Sequence, residues 1–406
     1  MEPSNNRYKS ICLPFESETH YRTIVEDATL FRYFIQQMIT RYPELFPSAI
    51  SSGFSFHDFY YSVKQDILLR RIKINSTGKT FLIRPSFLMP YLTAKTEDME
   101  KALFLRQWGV PFDALAYVFG GDSMFYYRAW LTLGQPSIVG SSIKEVENLP
   151  KDLVADEKHT YLQGEKVYLP TTVAGGAILG ITVVEKADSQ ALESGYGEFA
   201  EEVRQIAPHY NPETVCVDGW KATHEAWTRL FPRIKLILCF LHSLLKIVTR
   251  CRGWMREQVK QKAWRVYQAN TKREFSQRLR RFKEWAERKL TKEGVQEAVY
   301  KMWEKGRQLQ QGYDFGQAAR TSNQVDRLIN HLDRLLYSMR YFHGRKESAR
   351  LAVRAMALQW NFHPFGIRTR RESNRESPFS DLNGFVYHEN WLHNLLIASS
   401  MGGHRL

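Results

Sequence analysis

Asp218 stands directly after the apolar run Val215-Cys216-Val217 and before Gly219-Trp220, and Cys239 and His242 take Cys-x-x-His spacing after a second apolar run, Ile234 to Leu238. A carboxylate at the end of a buried strand is held rigidly and projects from the sheet edge, where its hard oxygens suit Mg²⁺. Another acid pair, Asp156-Glu157, follows the apolar residues Leu153-Val154-Ala155. Neighbours on a strand point to opposite faces, so only one of the two can share a cleft with Asp218, and spacing alone leaves that choice open. Clustered carboxylates repel one another unless a cation sits among them. Two Mg²⁺ ions about 3.5–4 Å apart can help deprotonate a nucleophile and stabilise a leaving oxygen, so such a cluster points to phosphodiester chemistry.

A third acid has to come from farther along the chain. Residues 324 to 341 carry Val325, Leu328, Ile329, Leu332, Leu335, Leu336 and Met339, an apolar stripe of helical period. Thr321 and Ser322 are available as caps. At about 100° per residue, Asn323, Asp326, Asn330 and Asp333 fall on one flank of the stripe. A helix pressed on a sheet by such a stripe can aim a flank carboxylate into a cleft.

The elements that must position these residues read clearly between 151 and 242. Strands are expected around Leu153-Val154-Ala155, Lys166 to Thr172 and Ala177 to Val184, then helix Tyr196 to Ile206, strand Thr214 to Val217, helix Trp220 to Leu230 and strand Ile234 to Leu238. Three strands followed by alternating helix and strand is the element order of an α/β, ribonuclease H-like domain, in which the first and fourth strands are neighbours. Asp156 and Asp218 would then lie side by side.

The block Val215 to Trp220, Glu225-Ala226, Leu230-Phe231-Pro232 and Cys239-Phe240-Leu241-His242 resembles the Mutator-type bacterial insertion-sequence transposases. In that family of DDE/DDD polynucleotidyl transferases a catalytic Asp-Gly is followed, in this order, by Ala, Leu-Phe-Pro and Cys-x-x-His. Thr321-Ser322-Asn323-Gln324-Val325-Asp326 is similar to the family's Thr-Thr/Ser-Asn-x-Ile-Glu segment, with Asp in place of Glu. The resemblance, over roughly residues 150 to 345, implies Asp156, Asp218 and Asp326 as catalytic metal ligands, Asp218 bridging. It favours Asp156 over Glu157, and leaves Asp333 and Glu347 as substitutes for the third acid. It implies two Mg²⁺ ions, replaceable by Mn²⁺, and gives Cys239, His242 and Asn323 a role in shaping the site and contacting DNA near the cut. It further implies cleavage of transposon ends, transfer of the freed 3′-hydroxyl into target DNA, double-stranded DNA as partner, and self-association into a homo-oligomer.

Around this core the expected organisation is an α+β accessory or DNA-binding domain at 1–95, a helix-turn-helix-like module at 96–140, the first part of the catalytic core at 150–242, a helical insertion at 243–316, the third-acid helix at 317–362 and a basic tail at 363–406. In the first segment a helix is expected over His20 to Tyr42, and Leu68 to Ile74 faces Thr80 to Arg84 in a hairpin closed by a loop containing Gly78. Its basic strands make Arg70, Arg71 and Lys73 candidate DNA contacts. Three short helices follow, the last capped by Asp122-Ser123 and carrying Arg128 as its single charge among aromatics, so it suits base reading and buried packing alike. Arg368, Arg370 and Arg371 form a basic run that suits a DNA grip or a solvated loop, and the apolar end from Trp391 is expected to pack against the catalytic domain.

The whole 406-residue chain carries a net charge of +14, which favours a polyanionic partner through counterion release. Its longest apolar run, Leu169 to Val184, falls short of the ~20 residues of a spanning helix and is broken by threonines and glycines. Met1 to Asn5 shows no signal-peptide pattern, giving an expectation of a cytoplasmic, nucleoid-associated protein with Cys12, Cys216, Cys239 and Cys251 reduced. A zinc site at Cys239 and His242 lacks a second pair, since Cys251 and His224 are isolated. Two other functions compete: a tyrosine recombinase, for which His331, Arg334 and Tyr337 or Tyr341 supply a fragment without an upstream Arg box, and a non-catalytic DNA-binding protein, against which the joint presence of three acids argues.

Overall fold

The computed structural model describes residues 9–90, 92–316 and 318–404; the reading of Met1 to Asn5 lies outside them. The described residues form a mixed α/β structure with two sheets. The first collects β1 (Ser10–Leu13), β2 (Phe54–Ser62), β3 (Ile67–Ile74) and β4 (Thr80–Pro85) in the order β1-β4-β3-β2. Alternate residues of β3 and β4, among them Ile72, Ile74, Phe81 and Ile83, are buried, as expected of strands covered on one face. Where a single helix is expected over His20 to Tyr42 there are two, α1 (Glu18–Ile24) and α2 (Ala28–Arg41). The break falls at Asp27, whose carboxylate accepts from the amides of Thr29 and Leu30 and caps α2.

This sheet corrects one basic candidate. Arg70 is 7% exposed, donates to the Val25 carbonyl at 3.0 Å and lies 3.9 Å from the Phe56 ring centre, so its charge is spent inside the sheet. Arg71 pairs with Asp58 on β2, while Lys73 is exposed.

Next come α3 (Thr96–Gln107), α4 (Phe112–Phe119), α5 (Ser123–Thr132) and α6 (Ile138–Ser142). Asp122 caps α5 as expected. The helix buries Tyr126, Ala129 and Trp130, and the Trp130 indole donates to Gln359 at 3.0 Å, so one face is committed to packing while Arg128 stays exposed.

The second sheet holds β5 (Asp152–Leu162), β6 (Glu165–Ala174), β7 (Ala177–Ile181), β8 (Thr214–Val217) and β9 (Lys235–Leu238) in the order β7-β6-β5-β8-β9. Strands β5, β8 and β9 are parallel; β6 is antiparallel to β5 and β7. One face is covered by α7 (Ser189–Ile206) and α8 (Lys221–Leu230), with Leu153, Ala155, Val215 and Val217 packed on Tyr196, Phe199 and Trp227. From the other face Val154, Cys216 and Ile237 join Val325, Leu328, Leu332 and Leu335 of α14 (Asn323–Ser338).

Between β9 and α14, helices α9 (Phe240–Val248), α10 (Gly253–Tyr267), α11 (Lys272–Lys289), α12 (Glu293–Glu304) and α13 (Gly306–Leu309) enclose a core of their own around Phe240, Ile247, Phe275, Leu279 and Phe282. After α14 follow α15 (Lys346–Phe362), α16 (Ile367–Ser373), α17 (Pro378–Asn383) and α18 (Trp391–Ala398). The apolar end from Trp391 packs as expected, so the segment from 363 is not a tail throughout: every residue of α18 is buried, and it joins the core that also holds α15 and the elements of the first sheet. Among the described residues no helix is long and apolar enough to cross a membrane.

Candidate active site

Strand register brings the first two acids together. Val154 of β5 lies opposite Cys216 of β8, and Val217 of β8 opposite Leu238 of β9. Continued past the ends of β8 and β9, that register sets Asp156 beside Asp218 and Asp218 beside Cys239, on strands about 4.8 Å apart. All three share the parity of Val154, Cys216 and Ile237, and so belong to the face that α14 covers. Glu157 belongs to the other face, where it accepts from the Tyr196 hydroxyl at 2.8 Å and from Thr223. The alternation that spacing left open is thus resolved in favour of Asp156.

The Cys-x-x-His pair ties the row to α14. Cys239 precedes α9 and His242 lies in its first turn. The Ser322 amide donates to the Cys239 sulfur at 3.2 Å, and its hydroxyl lies 3.5 Å from His242 Nδ1 and donates to Asp326 Oδ2 at 3.4 Å. His242 Nε2 lies 3.9 Å from Asp156 Oδ2. Ser322, read from sequence only as a helix cap, makes no capping bond and instead links Cys239, His242 and Asp326.

Electrostatics follow from this packing. Burial raises the Asp156 carboxyl to about 6, helped by the charges of Asp218 and Asp326 and opposed by His242. Asp326 is raised as well, mainly by burial. His242 is drawn up to about 9, first by its hydrogen bond with Cys239 and then by Asp156 and Asp218. Burial pushes Glu157 up to about 7.

Asp218 is held from behind: it accepts from the Trp220 amide at 2.7 Å, and its carbonyl accepts from His224 Nε2 at 2.9 Å. A methyl group on Gly219 would lie 3.2 Å from Lys305 Nζ, so a cation at the start of α13 sits over the Asp218-Gly219 turn. No local sequence signal marks Lys305.

Among the described residues no group of three or more His, Cys, Asp or Glu side chains forms a ready metal cage. The donor set nonetheless fits Mg²⁺: Asp156, Asp218 and Asp326 offer hard oxygens, and among the described residues none is ion-paired to Lys or Arg, while His242 lies against Asp156. The substitutes fare worse. Asp333 is paired with Lys158 at 2.7 Å, and Glu347 is exposed in the first turn of α15.

Asn323 is exposed at the start of α14, outside the Ser322 network. On α16, Arg368 pairs with Glu372 and Arg370 with Glu376, while Arg371 is exposed. Compared with protein-family models and with curated proteins, the chain matches none.

Proposed function

We propose that this protein is a metal-dependent DNA transposase of the DDD type, built on a ribonuclease H-like core, that cuts transposon ends and joins the freed 3′-hydroxyl to target DNA. The observation that carries the reading is the register that sets Asp156 beside Asp218 on the face where Ser322 and His242 tie in Asp326. The strand order β7-β6-β5-β8-β9, a three-strand meander followed by two parallel strands, supports the fold. The helices between β9 and α14 correspond to the insertion that the sequence resemblance implies.

Asp156 and Asp218 would hold Mg²⁺ or Mn²⁺, with Asp326 as third ligand. The ions supply charge that eases deprotonation of the attacking hydroxyl or water and departure of the leaving oxygen. The chain's own residues do the positioning. His242, charged at neutral pH, lies between Asp156 and Ser322 and offsets acids that burial would otherwise neutralise. Ser322 orients Asp326, and Lys305 stands where a scissile phosphate would approach Asp218. The +14 charge, with exposed Lys73, Arg128 and Arg371, supplies attraction to the duplex. Self-association would bring two ends together.

The recombinase alternative loses support because its two candidate nucleophiles, Tyr337 and Tyr341, pack on each other and neither lines the cleft where His331 and Arg334 meet. The test is a cleavage and strand-transfer assay on the DNA flanking the protein's own locus. Nicking with Mg²⁺ or Mn²⁺, absent in EDTA and in Asp218→Ala while both proteins still shift DNA, is the expected result. A gel shift without any nick, equal nicking by the variant, or a covalent phosphotyrosyl adduct would overturn it.

A further inference from the structure

Beside α14, between the end of α3 and the corner joining α15 to α16, lies a cleft of about 300 Å³. That is the size at which small-ligand sites begin. Three residues lining it are more than nine-tenths buried, and each has a polar atom without a partner among the described residues: Gln107 Oε1, His331 Nε2 and His363 Nε2. Buried polar atoms left unpaired are rare in folded chains and call for an explanation. His363 Nδ1 lies 2.9 Å from the Pro364 carbonyl, which can only accept, so Nδ1 carries the proton and Nε2 is an acceptor. Gln107 Oε1 is an acceptor too. All three atoms are closed to solvent, so they lie behind the wall of the cleft and the exposed residues around it set what it can hold.

The remaining walls narrow its chemistry. Trp108, 54% exposed, and Trp360 present aromatic faces, the Trp360 indole proton being taken up by the Gly176 carbonyl at 2.9 Å. Arg327 and Arg334 line the same cleft, exposed and in no ion pair among the described residues, with Arg334 lying 5.7 Å from the Trp108 ring centre. Flat aromatic walls and flanking guanidiniums match a planar base and its phosphate. Arg327 directly follows Asp326, and Asn330, also lining the cleft, is one helical turn of about 5.4 Å beyond it.

We propose that this cleft receives one unpaired nucleotide of the DNA strand held at the Asp156-Asp218-Asp326 site. The inference rests on the transposase reading for its substrate, and stands apart from it in its test.

The test uses the full chain in EDTA, so that nothing is cut, with duplexes carrying 2-aminopurine either in a one-nucleotide overhang or fully paired. Wild type should quench the overhang probe and bind it more tightly than the blunt duplex. Trp108→Ala should abolish the quench and the preference, with a loss of about tenfold or more. Arg327→Gln, at an exposed position that folding does not need, should reduce the preference without abolishing duplex binding. Trp254→Ala, on the distant exposed face of α10, should change nothing. Free dAMP is the second arm. Binding of dAMP with no preference for the overhang would overturn a strand-borne nucleotide, as would an unchanged quench in Trp108→Ala. If the quench persists while wild type fails to nick with metal, the transposase reading fails and the nucleotide cleft remains.

Discussion

His242 Nε2 stands 3.9 Å from Asp156 Oδ2, and on the other side of the same ring Nδ1 stands 3.5 Å from the Ser322 hydroxyl that reaches Asp326. One imidazole thereby spans two acids that come from chain segments 170 residues apart, which is 326 − 156.

His242→Ala should therefore act through its neighbours. Loss of a group that supports metal ligands typically costs about 10–100-fold in affinity or rate. The expected outcome is a drop of that order in nicking, with a higher Mn²⁺ requirement and unchanged duplex affinity. A variant with wild-type rate and wild-type metal dependence would remove His242 from the site.

Asp156 gives a pH signature. Its carboxyl rises from 3.8 in the unfolded chain to about 6 in the fold, chiefly by burial. Folding therefore favours the proton: the ionised group costs stability above the folded value, and the cost disappears below the unfolded one. At about 1.4 kcal/mol per tenfold change in proton affinity, the ceiling is on the order of 3 kcal/mol. In EDTA at pH 8, Asp156→Asn should melt above wild type, and the gap should close as pH falls from 6 to 4. Adding Mg²⁺ should raise the melting temperature of wild type and leave the variant unmoved. A pH-independent gap would contradict this account.

Arg354 anchors the back of the molecule. Its guanidinium donates to the carbonyls of Gly134 at 3.0 Å and Pro136 at 2.7 Å, and to Glu202 at 2.6 Å, with Glu198 at 3.4 Å. Removing one member of a buried ion pair leaves the other uncompensated, at a cost of about 3–5 kcal/mol. Arg354→Met should lower the urea midpoint accordingly, and adding Glu202→Gln should recover part of the loss. A change within about 0.5 kcal/mol, typical of surface sites, would show the pairs to be solvated.

Gly140 reports on the docking of the C-terminal segment. A methyl group there would lie 1.7 Å from the Gly403 carbonyl oxygen, and the Ser137 amide donates to Gly402 at 2.8 Å nearby. Gly140→Ala should lower the melting temperature and expose residues near 400 to limited proteolysis. Gly294→Ala, on a helix with nothing within 4 Å, should not destabilise. Equal protease resistance in both would mean the segment is not held there.

Strand β8 was legible to the residue, Thr214 to Val217, and α8 to within one, because apolar alternation and turn residues act over a few neighbours. The apolar stripe of α14 and its acidic flank were legible for the same reason. Strand β1 was not seen, since its partner β4 lies far along the chain, and β2, though it pairs with the neighbouring β3, is exposed over most of its length and so carries little apolar alternation. Nor could local pattern show that Arg70 is buried among aromatic rings, that Ser322 joins Asp326 to Cys239 and His242, or that Lys305 leans over Gly219. By itself the sequence determined which residues face outward from each strand or helix, because backbone geometry sets those periods. Which faces meet was decided only by tertiary packing. The choice of Asp156 over Glu157 shows the division: alternation requires that they part, and register with β8 and burial under α14 decide which one stands beside Asp218.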